Sequence, residues 1–133
     1  MSKQNPISLN PVGIMHCRLT SREHTPRNFD ISEETGTLEI FPEYSEAMEG
    51  VQVGQTIVCL FWLHEAARDI LKVYPRGDKS RGLQGVFATR SPVRPNPVAV
   101  SEYEVIEING NEIKVSGVDV LDNTPLIDIK KKI

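Results

Sequence analysis

The stretch "TRSPVRPNPVAVS", residues 89–101, sets two guanidinium groups, Arg90 and Arg94, and the amide of Asn96 among Pro92, Pro95 and Pro97. Proline fixes its own φ and pushes the preceding residue toward extended backbone, so Ser91, Arg94 and Asn96 are held away from helical geometry. A loop stiffened in this way loses little entropy when it binds. Planar guanidinium groups carried on it suit a phosphate or a carboxylate. The same residues also suit a rigid structural corner whose arginines pair with acids elsewhere, and the residue pattern leaves both readings open.

A second polar spot is "DVLDNTPLIDIK" (119–130), where Asp119, Asp122 and Asp128 surround Asn123-Thr124-Pro125. As pattern this is turn chemistry: Asp and Asn accept local backbone bonds, and the proline suits the start of the next strand. Other chemistry is missing. Gly82-x-x-Gly85 lacks the first glycine of a dinucleotide fingerprint, and no Walker loop, H-E-x-x-H or G-x-S-x-G occurs. His64-Glu65 is the nearest thing to an acid–base pair, but neighbouring residues on a strand point to opposite faces. Cys17 and Cys59 lie in apolar stretches without C-x-x-C spacing, which favours buried free thiols over a disulfide and sets a metal site lower still.

The elements that must position these loops are mostly strands. Residues 8–19 read as a strand after an irregular lead-in, 36–42 alternate, 55–64 form a nearly continuous apolar run, and 98–108 and 111–121 alternate on either side of Asn109-Gly110. Asn-Gly between two alternating runs predicts a tight hairpin, with positive φ at both residues. Helix is scarce. Ala67, Ile70, Leu71 and Tyr74 have helical spacing over 64–74, ended by Pro75, and a shorter helical turn fits 44–50, stopped by Gly50. Residues 20–35 and 75–84 read as loops.

The expected fold class is mainly β, a single small, mostly antiparallel β-barrel with one or two short helices, spanning 1–133 as one domain. A run apolar on both faces, such as 55–64, needs cover on each side, which a second copy of the chain would supply. The net charge of −3 hides an asymmetry: residues 72–94 hold Lys72, Arg76, Lys79, Arg81, Arg90 and Arg94 against Asp78 alone, so the rest of the chain is −8. That segment is either a solvated loop face or a surface for a polyanion. The N-terminus has no apolar run of signal-peptide length, and nothing is long enough to span a membrane, so a cytoplasmic location is expected.

Taken together, "GVFATRSPVRPNPVAVS" (85–101) and "GVDVLDNTPLIDIK" (117–130), with "LFWLHE" (60–65) and "TPRN" (25–28) upstream, resemble the TsaA-like family, whose characterised members are the TrmO tRNA methyltransferases. The likeness runs from "PVGIMHCRL" through Lys130, and its R-S-P-x-R-P-N-P core is highly specific. It implies a β-barrel binding S-adenosylmethionine (SAM) near a homodimer interface. The implied reaction methylates the exocyclic amine of threonylcarbamoyl-adenosine beside the tRNA anticodon. By the resemblance, the SAM-contacting positions are Arg27 and Asn28, Leu63 and His64, Arg90, Val100, and Asp122 with Thr124. Arg94 and Asn96 line the same mouth, with Asn96 accepting the hydrogens of the attacking amine; tRNA would meet the basic segment 72–94. Ala99 stands where the family has glycine, and a site demanding positive φ or close approach there would suffer from its methyl group. That departure supports an alternative from another class, a non-catalytic SAM- or nucleoside-binding barrel dimer acting as a regulator or subunit.

Overall fold

The computed structural model describes residues 5–133. Among these described residues eight strands are present: β1 (Gly13–His16), β2 (Thr35–Ile40), β3 (Thr56–Trp62), β4 (Lys72–Val73), β5 (Gln84–Gly85), β6 (Val98–Asn109), β7 (Glu112–Ser116) and β8 (Pro125–Lys131). Six of them close into a barrel in the order β1-β2-β7-β6-β3-β8, every pairing antiparallel, while β4 and β5 form a separate two-stranded ribbon. The mainly β, closed architecture expected from the sequence is the one observed.

Alternation explains the wall. On β3, Ile57, Cys59 and Phe61 are buried while Val58, Leu60 and Trp62 are half-buried, so the apolar run resolves into an inward row and an outward row. The inward row meets Met15, Leu38, Tyr103, Val105, Ile113 and Leu126 in one core. Close packing reaches the backbone at Gly13, where a β-carbon would run into the carbonyl oxygen of Glu39 across the β1–β2 pair.

The hairpin between β6 and β7 forms, with its turn one residue later than expected. Asn109 pairs with Glu112 and still belongs to the ladder, so Gly110 and Asn111 make the turn. Positive φ is confined to Gly110, at 58°, as in hairpin turns that place glycine first. The turn over 44–50 is a 3₁₀ helix, Pro42–Met48, followed by Gly50 with φ 95°.

The helix expected over 64–74 does not form. In a helix the carbonyl of Ala67 would accept from Leu71 N four residues on, whereas that of Leu71 would face Pro75, which has no N–H to give. Here Ala67 O accepts from Arg94 N at 3.2 Å and Leu71 O from Val86 N at 2.9 Å, and Lys72–Val73 pair with Gln84–Gly85. Tertiary partners take the bonds a helix needs. Among the described residues all helical segments are 3₁₀ turns, and none is long and apolar enough to cross a membrane. Cys17 and Cys59 are free thiols, half-buried and buried respectively, as expected.

Candidate functional site

The chain from Leu63 to Pro97 leaves the barrel after β3 and returns to it at β6, and within it only Val86 and Pro97 are buried. It is tied off at its base by Leu63 N donating to Pro97 O at 2.8 Å. Further out, Arg68 Nε donates to Pro95 O at 2.7 Å while its guanidinium lies 5.1 Å from the Trp62 ring centroid. The excursion thus stands as a rim over one open end of the barrel. Together with the 22–28 loop and the 119–124 turn it encloses a broad cleft of about 1340 Å³.

The proline loop owes its shape to local bonds as well as to proline. Thr89 Oγ1 donates to Val86 O and accepts from Ser91 N, and Ser91 Oγ accepts from Val93 N. Arg94 Nη1 donates to the carbonyls of Thr89 (3.2 Å) and Ser91 (3.0 Å), so part of this guanidinium braces its own loop. Arg90 makes one long contact, 3.4 Å to Val100 O, and Arg27 reaches across the cleft to Arg76 O at 3.0 Å. Arg76 takes a left-handed φ of 54°, which presents that carbonyl to Arg27.

All the residues expected at the site except Asp122 line this one cleft: Arg27, Asn28, Leu63, His64, Arg90, Arg94, Asn96, Val100 and Thr124. Their roles differ. Thr124 is buried and its hydroxyl donates to Leu121 O at 2.7 Å, closing the turn before β8. Asn28 donates its amide to Asp30 at 2.8 Å. His64 and Glu65 sit in a turn rather than on a strand, 3.9 Å apart and well exposed. Asn96 Oδ1 accepts from Arg68 Nη2 at 3.1 Å. Arginine has no acceptor, so the amide oxygen must face Arg68 and the amide nitrogen is the group left free.

Asp122 stands apart from the cleft lining. Its Oδ1 accepts from Cys17 N at 3.0 Å, and neighbouring backbone bonds, Asp122 N to Leu19 O and Asn123 N to Met15 O, clamp the 15–19 segment to this turn. The half-buried carboxylate that the cleft does contain is Asp119. It accepts from Ser101 Oγ (2.9 and 3.1 Å) and from Tyr103 OH at 2.6 Å. Burial pushes its pKa up from the ordinary carboxylate range, and the two hydroxyl bonds oppose that rise. Burial, then the nearby Asp119 charge, holds the Tyr103 hydroxyl well above its usual range. Sequence reasoning treated Asp119 as part of a turn; the available signal was Ser101 and Tyr103, two hydroxyls on the same face of the β6 alternation.

Ala99 pairs with Phe61 in the ladder and has ordinary extended backbone, so its methyl group carries no φ strain. The charge of the cleft is lopsided. Six arginines (22, 27, 76, 81, 90 and 94) line it against the carboxylates of Glu65 and Asp119, in a chain that is acidic overall.

Comparison with known proteins places these features. A family model described as the tRNA-methyltransferase O N-terminal domain matches residues 14–133. A protein of Methanothermobacter thermautotrophicus named as a probable S-adenosyl-L-methionine-binding protein is 41% identical over 124 residues, covering 93% of this chain and 88% of the relative. An Archaeoglobus fulgidus protein named as an S-adenosyl-L-methionine-binding protein is 37% identical over 123 residues, covering 92% and 87%. The crystal structure of TrmO from Pseudomonas aeruginosa superposes with a TM-score of 0.78 at 29% identity, over 97% of this chain and 57% of that one. This chain therefore spans just over half the length of that protein.

Proposed function

From its membership of the tRNA-methyltransferase O N-terminal domain family, we propose that this chain binds SAM in the barrel-mouth cleft and acts as a methyltransferase on a tRNA base. The acceptor inferred from the family is the exocyclic amine of threonylcarbamoyl-adenosine beside the anticodon. The observation that carries the proposal is the gathering of Arg27, Asn28, Leu63, His64, Arg90 and Val100 around one cleft, from three separate parts of the chain.

The residue types fit SAM. Guanidinium groups of Arg27 and Arg90 answer its carboxylate, and Leu63 and Val100 give apolar cover to the nucleoside. SAM supplies the methyl group. What the protein must do is position, since holding amine and methyl in line at roughly 3–3.5 Å is worth several kcal/mol by itself. A cleft of about 1340 Å³ exceeds the upper end of typical small-ligand pockets, about 1,000 Å³, and so leaves space for an acceptor base beside the donor. Asn96, with its oxygen held by Arg68, offers its amide N–H groups to that acceptor and not a free carbonyl to the amine hydrogens. The arginine-rich rim supplies counter-charge for the phosphates of tRNA.

A second copy of the chain completes this picture. Phe87 on the cleft wall is 84% exposed, which supports a homodimer closing the cleft. A tRNA acceptor agrees with the cytoplasmic location expected from the sequence. The test is isothermal titration with SAM, followed by transfer of labelled methyl from SAM to bulk tRNA. Heat of binding with methylation lost in Arg90→Ala is the expected result; a folded protein that takes up no SAM overturns the proposal. The names of the archaeal relatives record binding without an activity, which favours a non-catalytic SAM-binding barrel as the second reading. Binding with no turnover on any RNA would establish it.

A further inference from the structure

Asp119 is the half-buried acid of the cleft, and the way it is held is unusual for its surroundings. Its oxygens take hydrogen bonds from Ser101 and Tyr103, both neutral hydroxyls. No lysine, arginine or histidine among the described residues pairs with it, although arginines dominate the lining around it. Tyr103 is fully buried inside the barrel, so its hydroxyl serves this carboxylate from the core side. A carboxylate partly withdrawn from water without a cation is held at some cost, and hydrogen bonds to neutral donors offset only part of it. Such a group is stabilised when a positive charge arrives on its open side.

We infer that Asp119 is the counter-charge for a cationic group of the bound ligand, the sulfonium or the ammonium of SAM, with Ser101 and Tyr103 fixing its orientation. The inference rests on the reading of the cleft as a SAM site and assigns to Asp119 the acidic role that the family resemblance would give to Asp122. Asp122 has a different task, tying the β8 turn to Cys17. Asp119 stands where a ligand can reach it, at the boundary between the barrel core and the cleft, and its partners come from a regular strand that holds it in place.

The test compares three ligands on the native chain and on Asp119→Asn, which keeps the size and an acceptor for Tyr103. SAM carries both cations, S-adenosylhomocysteine keeps only the ammonium, and methylthioadenosine has neither. The expected result is a loss of SAM affinity of tenfold or more in Asp119→Asn with methylthioadenosine changed less than twofold. If S-adenosylhomocysteine is spared, the partner is the sulfonium; if it weakens alongside SAM, the partner is the ammonium. Equal weakening of all three ligands, or unchanged SAM binding by folded Asp119→Asn, overturns the inference. A native chain that binds methylthioadenosine but not SAM overturns it too, whereas a native chain that binds none of the three sinks the SAM reading as a whole. Tyr103→Phe provides an independent variant that keeps the charge: a smaller, SAM-selective loss of two- to fivefold is expected, and an unchanged ratio of SAM to methylthioadenosine affinity in it counts against the assignment.

Discussion

Arg68 holds Asn96 by its amide oxygen, Nη2 to Oδ1 at 3.1 Å, while the same guanidinium donates to Pro95 O and lies over Trp62. One side chain thereby joins the outer face of β3 to the proline loop and decides which end of the Asn96 amide faces the cleft. Lysine cannot reproduce a planar group that stacks and donates in two directions. For the proposed methyl transfer, we predict that Arg68→Lys lowers kcat several-fold and leaves SAM affinity within about twofold, the loss of a hydrogen bond being worth about 1 kcal/mol. Single-turnover rates set beside titration data give the check; equal losses in both would mean that the whole cleft had moved.

Asn123 takes a left-handed φ of 68° in the turn that leads into β8. Asparagine tolerates that region and alanine does so poorly, at a penalty of roughly 1–2 kcal/mol. Asn123→Ala should therefore lower stability by about 1 kcal/mol, and Asn123→Gly by much less. Urea unfolding midpoints of the two variants, at unchanged slope, measure the difference.

The raised pKa of Asp119 carries a definite sign. Below about pH 4 the group is protonated whether the chain is folded or not, and its effect on stability is at its most favourable. As pH rises, the unfolded chain releases this proton first, so stability falls until the folded-state pKa is passed, and is flat beyond. Glu34 works oppositely, because the Arg18 hydrogen bonds lower its pKa and its contribution is lost as pH falls. Subtracting the pH profile of Asp119→Asn from that of the native chain isolates the Asp119 slope. A difference profile that rises as pH climbs above about 4 would contradict the partial burial described above.

The two thiols should separate by reactivity. Burial, then the nearby Asp119 charge, pushes the Cys59 thiol far above its usual range, and its side chain is inside the barrel. Cys17 is also raised, chiefly by desolvation, but is half-buried and donates to Val120 O at 3.4 Å. Alkylation of the native chain at pH 8 should modify Cys17 slowly and Cys59 only after denaturation, read by peptide mass spectrometry.

Much of the barrel was legible because its signals are local. Strand alternation placed residues 36–42, 55–64 and 98–108 within a residue or two of the observed β2, β3 and β6, and the hairpin signal at Asn109-Gly110 missed the turn by one position. Local signals misled at 64–74. Ile70, Leu71 and Tyr74 have helical spacing, yet they are 39%, 63% and 37% exposed, because no part of the core lies under them. The Ala67 carbonyl that a helix would have used went to Arg94 N, and Leu71 O, which a helix would leave facing Pro75, went to Val86 N.

The sequence by itself determined a β-rich chain, a rigid proline loop bearing Arg90, Arg94 and Asn96, and a sharp turn before β8. Each follows from φ limits and side-chain alternation that hold within a few residues. Only the tertiary structure decided which aspartate faces the cleft and which end of Asn96 is presented there. Positive φ at Gly117 and Asn123 breaks the strand parity between 117 and 124, so the facing of Asp119 and Asp122 cannot be counted along the chain. Their directions are set by Tyr103 and Cys17, partners far away in sequence, and the facing of Asn96 is set by Arg68 in the same way.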